Sequence, residues 1–216
     1  KDFSFTASIT LRHLGFDLED RLAINRSERT TIAFLEPKIS LVIPLGGANL
    51  ITNYSFKRST PSIRETQSGN IFNNYRSYQQ GAEGLIFPKS HNFFMGYFWI
   101  SPIHNLFLNT SLIYTYSPEN YGMALEIDPF FSETNPIVVN GNQNMIYSMN
   151  FDKYLPPISS ALKLELTLFW LLNNNQLGTN IPTENRTYNG VYALTYRSLF
   201  SGFLNVEAKA QFTDNR

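Results

Sequence analysis

Cysteine is absent from the 216 residues of this chain, which excludes a disulfide framework and any thiolate metal site. Charge is scarce as well. Asp, Glu, Lys and Arg together make up 16%, well under the roughly one quarter usual in globular domains, and the two signs cancel to a net charge of zero. Such a balance leaves no electrostatic footprint for a nucleic-acid partner. Long apolar runs are also missing. The longest lies near Leu166 to Leu172, far short of the roughly 18 residues a membrane helix needs, so a helical membrane protein is excluded. The three histidines, His13, His91 and His104, are scattered and have no metal-ligand spacing. Glu119, Glu126, Asp128 and Glu133 fall in one acidic connection, where solvated loop charge is the expected reading. There is no Gly-x-Ser-x-Gly, Walker loop or dinucleotide fingerprint. No catalytic residue, metal or cofactor is therefore expected, and the chain does not read as an enzyme.

What the sequence does contain is aromatic residues, 15% of the total with Phe and Tyr dominant, and a strict alternation of apolar with polar side chains. The stretch from Asn144 to Phe212 shows it best. Leu162, Leu164, Leu166, Leu168 and Trp170 alternate with Lys163, Glu165 and Thr167, the period of a β-strand with one apolar and one polar face. Similar patterns start at Phe3, Thr31, Leu50, Phe93, Leu106, Met145, Tyr188 and Leu204, about nine strands in all. Tight turns are expected at Gly46 to Asn49, at Pro102 to Asn105, at Pro156 to Ser160 and near Phe200 to Gly202. Longer polar connections are expected at about 17–29, 60–90, 118–142 and after Trp170, with short strand extensions at Met123 to Ile127 and Ile137 to Val139.

Short and long connections thus alternate, and the strands run to about ten residues or more, close to the nine to eleven that a tilted membrane strand needs. Most strand charges fall on the polar face. This pattern predicts an all-β fold, an antiparallel up-and-down transmembrane β-barrel of which about nine strands are present, with residues 1–216 part of a single outer-membrane barrel domain. Lys163, Glu165, Arg197, Glu207 and Lys209 would face its lumen. Trp99, Tyr116, Trp170, Tyr188 and Tyr196 would face lipid or form the aromatic girdles.

The middle of the chain carries a resemblance. Asn53 to Ile63 (NYSFKRSTPSI), then Gln80 to Asn92 (QGAEGLIFPKSHN) leading into Phe93 to Trp99, resembles the barrel of TonB-dependent outer-membrane receptors of Bacteroidetes-type bacteria. Phe34 to Leu41 is similar to the family's preceding strand, whereas Ala82-Glu83-Gly84 stands where the family has Asn-Pro. The resemblance implies a barrel of about 22 strands filled by a plug domain that this chain lacks. It implies an outer-membrane location in a Gram-negative bacterium, a lipid bilayer around the wall, and a TonB-type energising partner acting through the missing part. An extracellular siderophore, glycan or peptide would be taken up. Starting without Met and inside a strand pattern, the chain reads as a fragment.

For ligand contact the polar connection offers Arg58, Arg64, Glu65, Tyr75, Arg76, Tyr78, Gln79 and Gln80, a mixture of cationic, amide and aromatic groups. Two other readings stay open: a passive porin-like barrel, and a soluble β-sandwich module that binds a ligand.

Overall fold

The computed structural model describes residues 2–20, 26–66, 70–82, 85–177, 181–198 and 206–216. Alternation does produce strands: β1 (Ser4–Asp20), β2 (Arg26–Leu45), β3 (Ala48–Arg58), β4 (Ile71–Asn74), β5 (Ser77–Gln79), β6 (Lys89–Ser101), β7 (Leu106–Ile127), β8 (Ser132–Val139), β9 (Asn142–Leu155), β10 (Ser160–Leu177), β11 (Ile181–Ser198) and β12 (Glu207–Asn215). Among the described residues, a single helical turn, α1 (Ile63–Thr66), and a 3₁₀ turn at Pro156–Ile158 are the helical pieces.

The main path of the sheet runs β1-β2-β3-β6-β7-β9-β10-β11-β12, every step antiparallel. The register keeps the parity of side chains across the whole width. One row passes through Ile39, Tyr54, Phe93, Tyr114, Met145, Trp170 and Tyr188. Another passes through Ile43, Leu50, Tyr97, Thr110, Met149, Leu166, Tyr192 and Phe212. A one-residue slip in any pair would have turned that strand's apolar set to the other face, so the apolar pattern itself specifies the register. At one end the turns are tight, as expected. Gly46 and Gly47 take φ of 54° and 107°, and Asn105 and Ser159 are left-handed at 47° and 45°.

The barrel expectation is not met. The sheet is open, and among the described residues β1 and β12 each pair on one side only. An odd number of strands joined only by antiparallel steps leaves β1 and β12 pointing the same way. Closing the sheet on itself would therefore need a parallel seam that no other neighbour along the path uses. The all-β expectation stands, with the twelve described strands in one hydrogen-bonded sheet, and this fits the alternative of a β-sheet ligand-binding module better than a transporting barrel. With no closed wall, the bilayer, the plug domain and the TonB-type partner lose the structural basis on which they were expected. The outer-membrane location loses it as well. Among the described residues, no helix is long and apolar enough to cross a membrane.

The alternation of short and long connections also fails, and for a physical reason. Polar residues at 17–29 suggested a loop, yet Asp17 pairs with Arg29 and Phe16 with Thr30 as the β1–β2 ladder continues. Charges of opposite sign placed directly across a ladder support it. In 118–142 the strand extensions expected at Met123 to Ile127 and Ile137 to Val139 are present but longer, forming the upper half of β7 and all of β8, paired from Asn120–Val139 to Ile127–Ser132. β10 likewise continues to Leu177, where Gln176 and Leu177 pair in parallel with Ala124 and Leu125 of β7 beyond the end of β9. The turn expected near Phe200 to Gly202 lies outside the described residues.

Burial gathers under residues 59–88. Phe34, Ala82, Phe87, Thr66 and Gln79 are all buried, whereas Ile9 and Leu11 on the β1 apolar face are each 70% exposed. Ser59 N–H donates to the Pro88 carbonyl (3.0 Å), Ala82 N–H to the Glu65 carbonyl (2.8 Å), and Ile86 N–H to the Tyr121 hydroxyl (2.8 Å). The first two close the segment on itself, and the third ties it to the sheet at Tyr121, where Leu85, Ile86 and Phe87 line a crevice with Thr30, Ile32 and Glu119.

Candidate functional site

Two hairpins meet beside the main path. The β4–β5 hairpin pairs Phe72 with Tyr78, and β5 joins β8 in parallel through Ser77–Ser132, Tyr78–Glu133 and Gln79–Thr134. Ser132 N–H donates to the Arg76 carbonyl at 2.7 Å, which closes the junction at the hairpin tip. The β7–β8 tip is a turn in which Asp128 N–H donates to the Phe131 carbonyl at 2.8 Å.

Aromatic rings crowd this junction. Tyr78 lies 6.1 Å from Phe72 and 5.8 Å from Phe131, both tilted, within the range of favourable ring pairs. Phe72, Tyr75 and Phe130 are 73%, 89% and 81% exposed, unusually open for residues of this size. The Arg76 guanidinium lies 5.3 Å above the Tyr75 ring. Beneath the rings, the Tyr78 hydroxyl donates to Glu133 Oε2 at 2.5 Å, and Asn135 Nδ2 donates to Glu133 Oε1 at 2.8 Å. Both oxygens of the carboxylate are thus engaged. That relieves its repulsion with Glu126, directly opposite it in the β7–β8 ladder. The hydrogen bond to Glu133, helped by desolvation and by the charges of Glu133 and Glu126, pushes the Tyr78 hydroxyl above the ordinary tyrosine range.

Of the eight ligand candidates, the structure brings Tyr75, Arg76 and Tyr78 together here. Glu65 is used locally: its Oε2 accepts from Ser62 N–H at 2.5 Å, an N-terminal cap for α1. Gln79 is buried, Gln80 is half-buried, and the Arg64 side chain lies outside the described residues. Arg58 stands apart from the junction, with its guanidinium 5.3 Å above the Phe34 ring. Sequence reasoning missed Phe72, Phe131 and Asn135 as members of this site, and took Glu133 for solvated loop charge. The adjacent Phe130-Phe131 pair between the two strand extensions of the 118–142 connection was the available signal.

Lys163, Glu165, Arg197, Glu207 and Lys209 do share the face opposite the apolar rows, but an open sheet has no lumen for them to line. Four of them form two ion pairs instead. Lys163 Nζ lies 2.8 Å from Glu165 Oε1, and Arg197 Nη2 lies 3.0 Å from Glu207 Oε2. The Lys163 ammonium hydrogen-bonds Glu165 and holds its carboxyl below the usual range, and the carboxylate in turn raises Lys163. Trp99, Tyr116, Trp170, Tyr188 and Tyr196 lie on the apolar face, where Tyr116 stacks 6.1 Å from His91. Without a closed wall they form no girdle. A broad crevice of about 420 Å³ lies near Pro102, Phe107 and Tyr154, but Lys153 beside it is spent on the His104 carbonyl at 2.5 Å. Among the described residues, no group of three or more His, Cys, Asp or Glu side chains is placed to hold a metal.

Comparison of the chain with protein-family models, with curated proteins and with solved structures found no match in any of the three. Together with the open sheet, this overturns the resemblance to TonB-dependent receptors and the transport function drawn from it.

Proposed function

We propose that this chain is a β-sheet binding module whose ligand is a saccharide, held on the aromatic junction of the β4–β5 and β7–β8 hairpins. The proposal is of binding rather than catalysis. The observation that carries it is the cluster of exposed rings fixed over an engaged carboxylate, Tyr78 to Glu133 at 2.5 Å. Flat rings suit the C–H faces of a pyranose. Asn, Glu and Arg groups beside them supply donors and acceptors for its hydroxyls. Solvent exposure of Phe72 and Tyr75 is costly in a free protein and is offset when a ligand covers them.

The test is a titration of the chain with a panel of neutral and acidic oligosaccharides, read by calorimetry. Binding of at least one, weakened about tenfold by Phe72→Ala or Tyr75→Ala, is expected from the loss of a stacked ring. No heat from any sugar at millimolar concentration, or equal affinity in both variants, would overturn the reading.

A further inference from the structure

A second feature lies where the 85–87 segment crosses the sheet. There a crevice of about 240 Å³ opens between Thr30 and Ile32 of β2, Arg58 at the end of β3, Ile86, and the Lys89–Glu119 pair. Its cations are not equivalent. Lys89 Nζ is 2.5 Å from Glu119 Oε2, so that charge is matched. Arg58 is not matched. Its backbone N–H donates to Glu36 Oε1 at 3.1 Å, and its guanidinium rests over the buried Phe34 ring. Yet Nε is buried without an acceptor, and the guanidinium makes no hydrogen bond or ion pair with another described residue. The Glu36 carboxylate oxygen that takes the Arg58 backbone N–H also accepts from Arg12 Nη1 at 3.4 Å.

A guanidinium held against a ring, with its Nε–H buried and unused, gains more from an anion than a fully solvated one would. Its planar fork matches the two oxygens of a carboxylate. Ile32 and Ile86 beside it suit a short hydrocarbon tail. Glu119 on the same wall disfavours a doubly charged anion such as phosphate.

We propose that this crevice binds a small monocarboxylate, its carboxylate on the Arg58 guanidinium and its tail against Ile32 and Ile86. This site is separate from the aromatic junction and does not depend on saccharide binding there.

The test uses butyrate as probe, with butyramide and inorganic phosphate as controls. It follows the Arg58 Nε–H resonance and the Ile32 and Ile86 methyl resonances of the full chain by NMR. Saturable shifts of all three with butyrate, absent with butyramide and at least about tenfold weaker with phosphate, are expected for a forked, singly charged site. Arg58→Gln should abolish the butyrate shifts of the Ile32 and Ile86 methyls. Arg58→Lys keeps the charge but loses the fork, and should weaken them about tenfold. Should Arg58→Gln fail to fold, Ile86→Trp provides a second route, because it fills the crevice and leaves Arg58 in place; it should remove the butyrate response. Equal binding of butyramide, tighter binding of phosphate, an unmoved Arg58 signal, or a butyrate response that survives Arg58→Gln or Ile86→Trp would each overturn the proposal.

Discussion

Tyr78 and Glu133 are 55 positions apart in sequence, yet the hydroxyl of one donates to the carboxylate of the other at 2.5 Å across the β5–β8 pairing. This contact joins a three-residue strand to the rest of the sheet. A strand so short has little ladder of its own, so the side-chain bond carries a large part of the attachment.

Replacing Tyr78 with Phe should therefore loosen the β4–β5 hairpin while the main sheet persists. Amide exchange at Ser77, Tyr78 and Gln79 is expected to accelerate, with rates in β9 and β10 unchanged. The wild-type contact should also depend on pH. Folding raises the Tyr78 pKa, so its contribution is complete below the ordinary tyrosine value of about 10 and is lost as pH rises through the higher folded value. Hairpin protection factors, which remove the base-catalysed rise of intrinsic exchange, should fall across that alkaline window in the wild type and stay flat in Tyr78→Phe.

The Lys163–Glu165 pair sets a different window. The Glu165 pKa is lowered, so its contribution is present above the unfolded carboxyl value and fades as pH falls through the folded one. The Lys163 pKa is raised, so its contribution fades only as pH climbs through the raised ammonium value. Both side chains are well exposed, and solvent screening limits the pair to at most about 1 kcal/mol. Denaturation of Glu165→Gln at neutral pH should show a loss of that size or less, shrinking in high salt; a loss of several kcal/mol would contradict the exposed placement.

Gly122 is a position where the structure demands glycine. A Cβ there would sit 2.6 Å from Val139 Cγ1 and 2.9 Å from the Asn174 carbonyl oxygen, where β7 and β10 come together beyond β9. Gly122→Ala should cost about 1–3 kcal/mol, the usual penalty for overpacking. Gly15→Ala is the control, with nothing within 4 Å of its Cβ, and should be neutral or slightly stabilising. Denaturant midpoints of the two variants measure the contrast.

The uncovered apolar rows predict association of the free chain. Phe5, Ile9, Leu11 and Leu35 are each more than half exposed, on neighbouring strands of one face. Sedimentation should show self-association that falls in Ile9→Lys with Leu11→Lys. Thr10→Lys, which points to the other face, should leave it unchanged. Equal behaviour of the two variants would mean that this face is not the one that associates.

The sequence by itself determined the strands and their two faces. Leu162 to Trp170 alternate because side chains in an extended chain have period 2, and that local rule held across the register from Ile39 to Tyr188. The turns at Gly46-Gly47, Asn105 and Ser159 were legible for the same local reason. Tertiary structure decided the rest. Polar residues at 17–29 read as a loop, and in 118–142 only Met123 to Ile127 and Ile137 to Val139 read as strand, because composition is judged residue by residue. Pairing across the chain, Asp17 with Arg29 and Glu126 with Glu133, supplied the ladder bonds that made them strands. Closure was equally invisible, since a strand's pattern does not reveal whether its outer edge finds a partner, and here β1 and β12 face the same way with none among the described residues. Of the candidate site, Tyr75, Arg76 and Tyr78 could be named from composition, but Glu133, Phe131 and the unmatched charge of Arg58 depend on contacts between residues far apart in the chain.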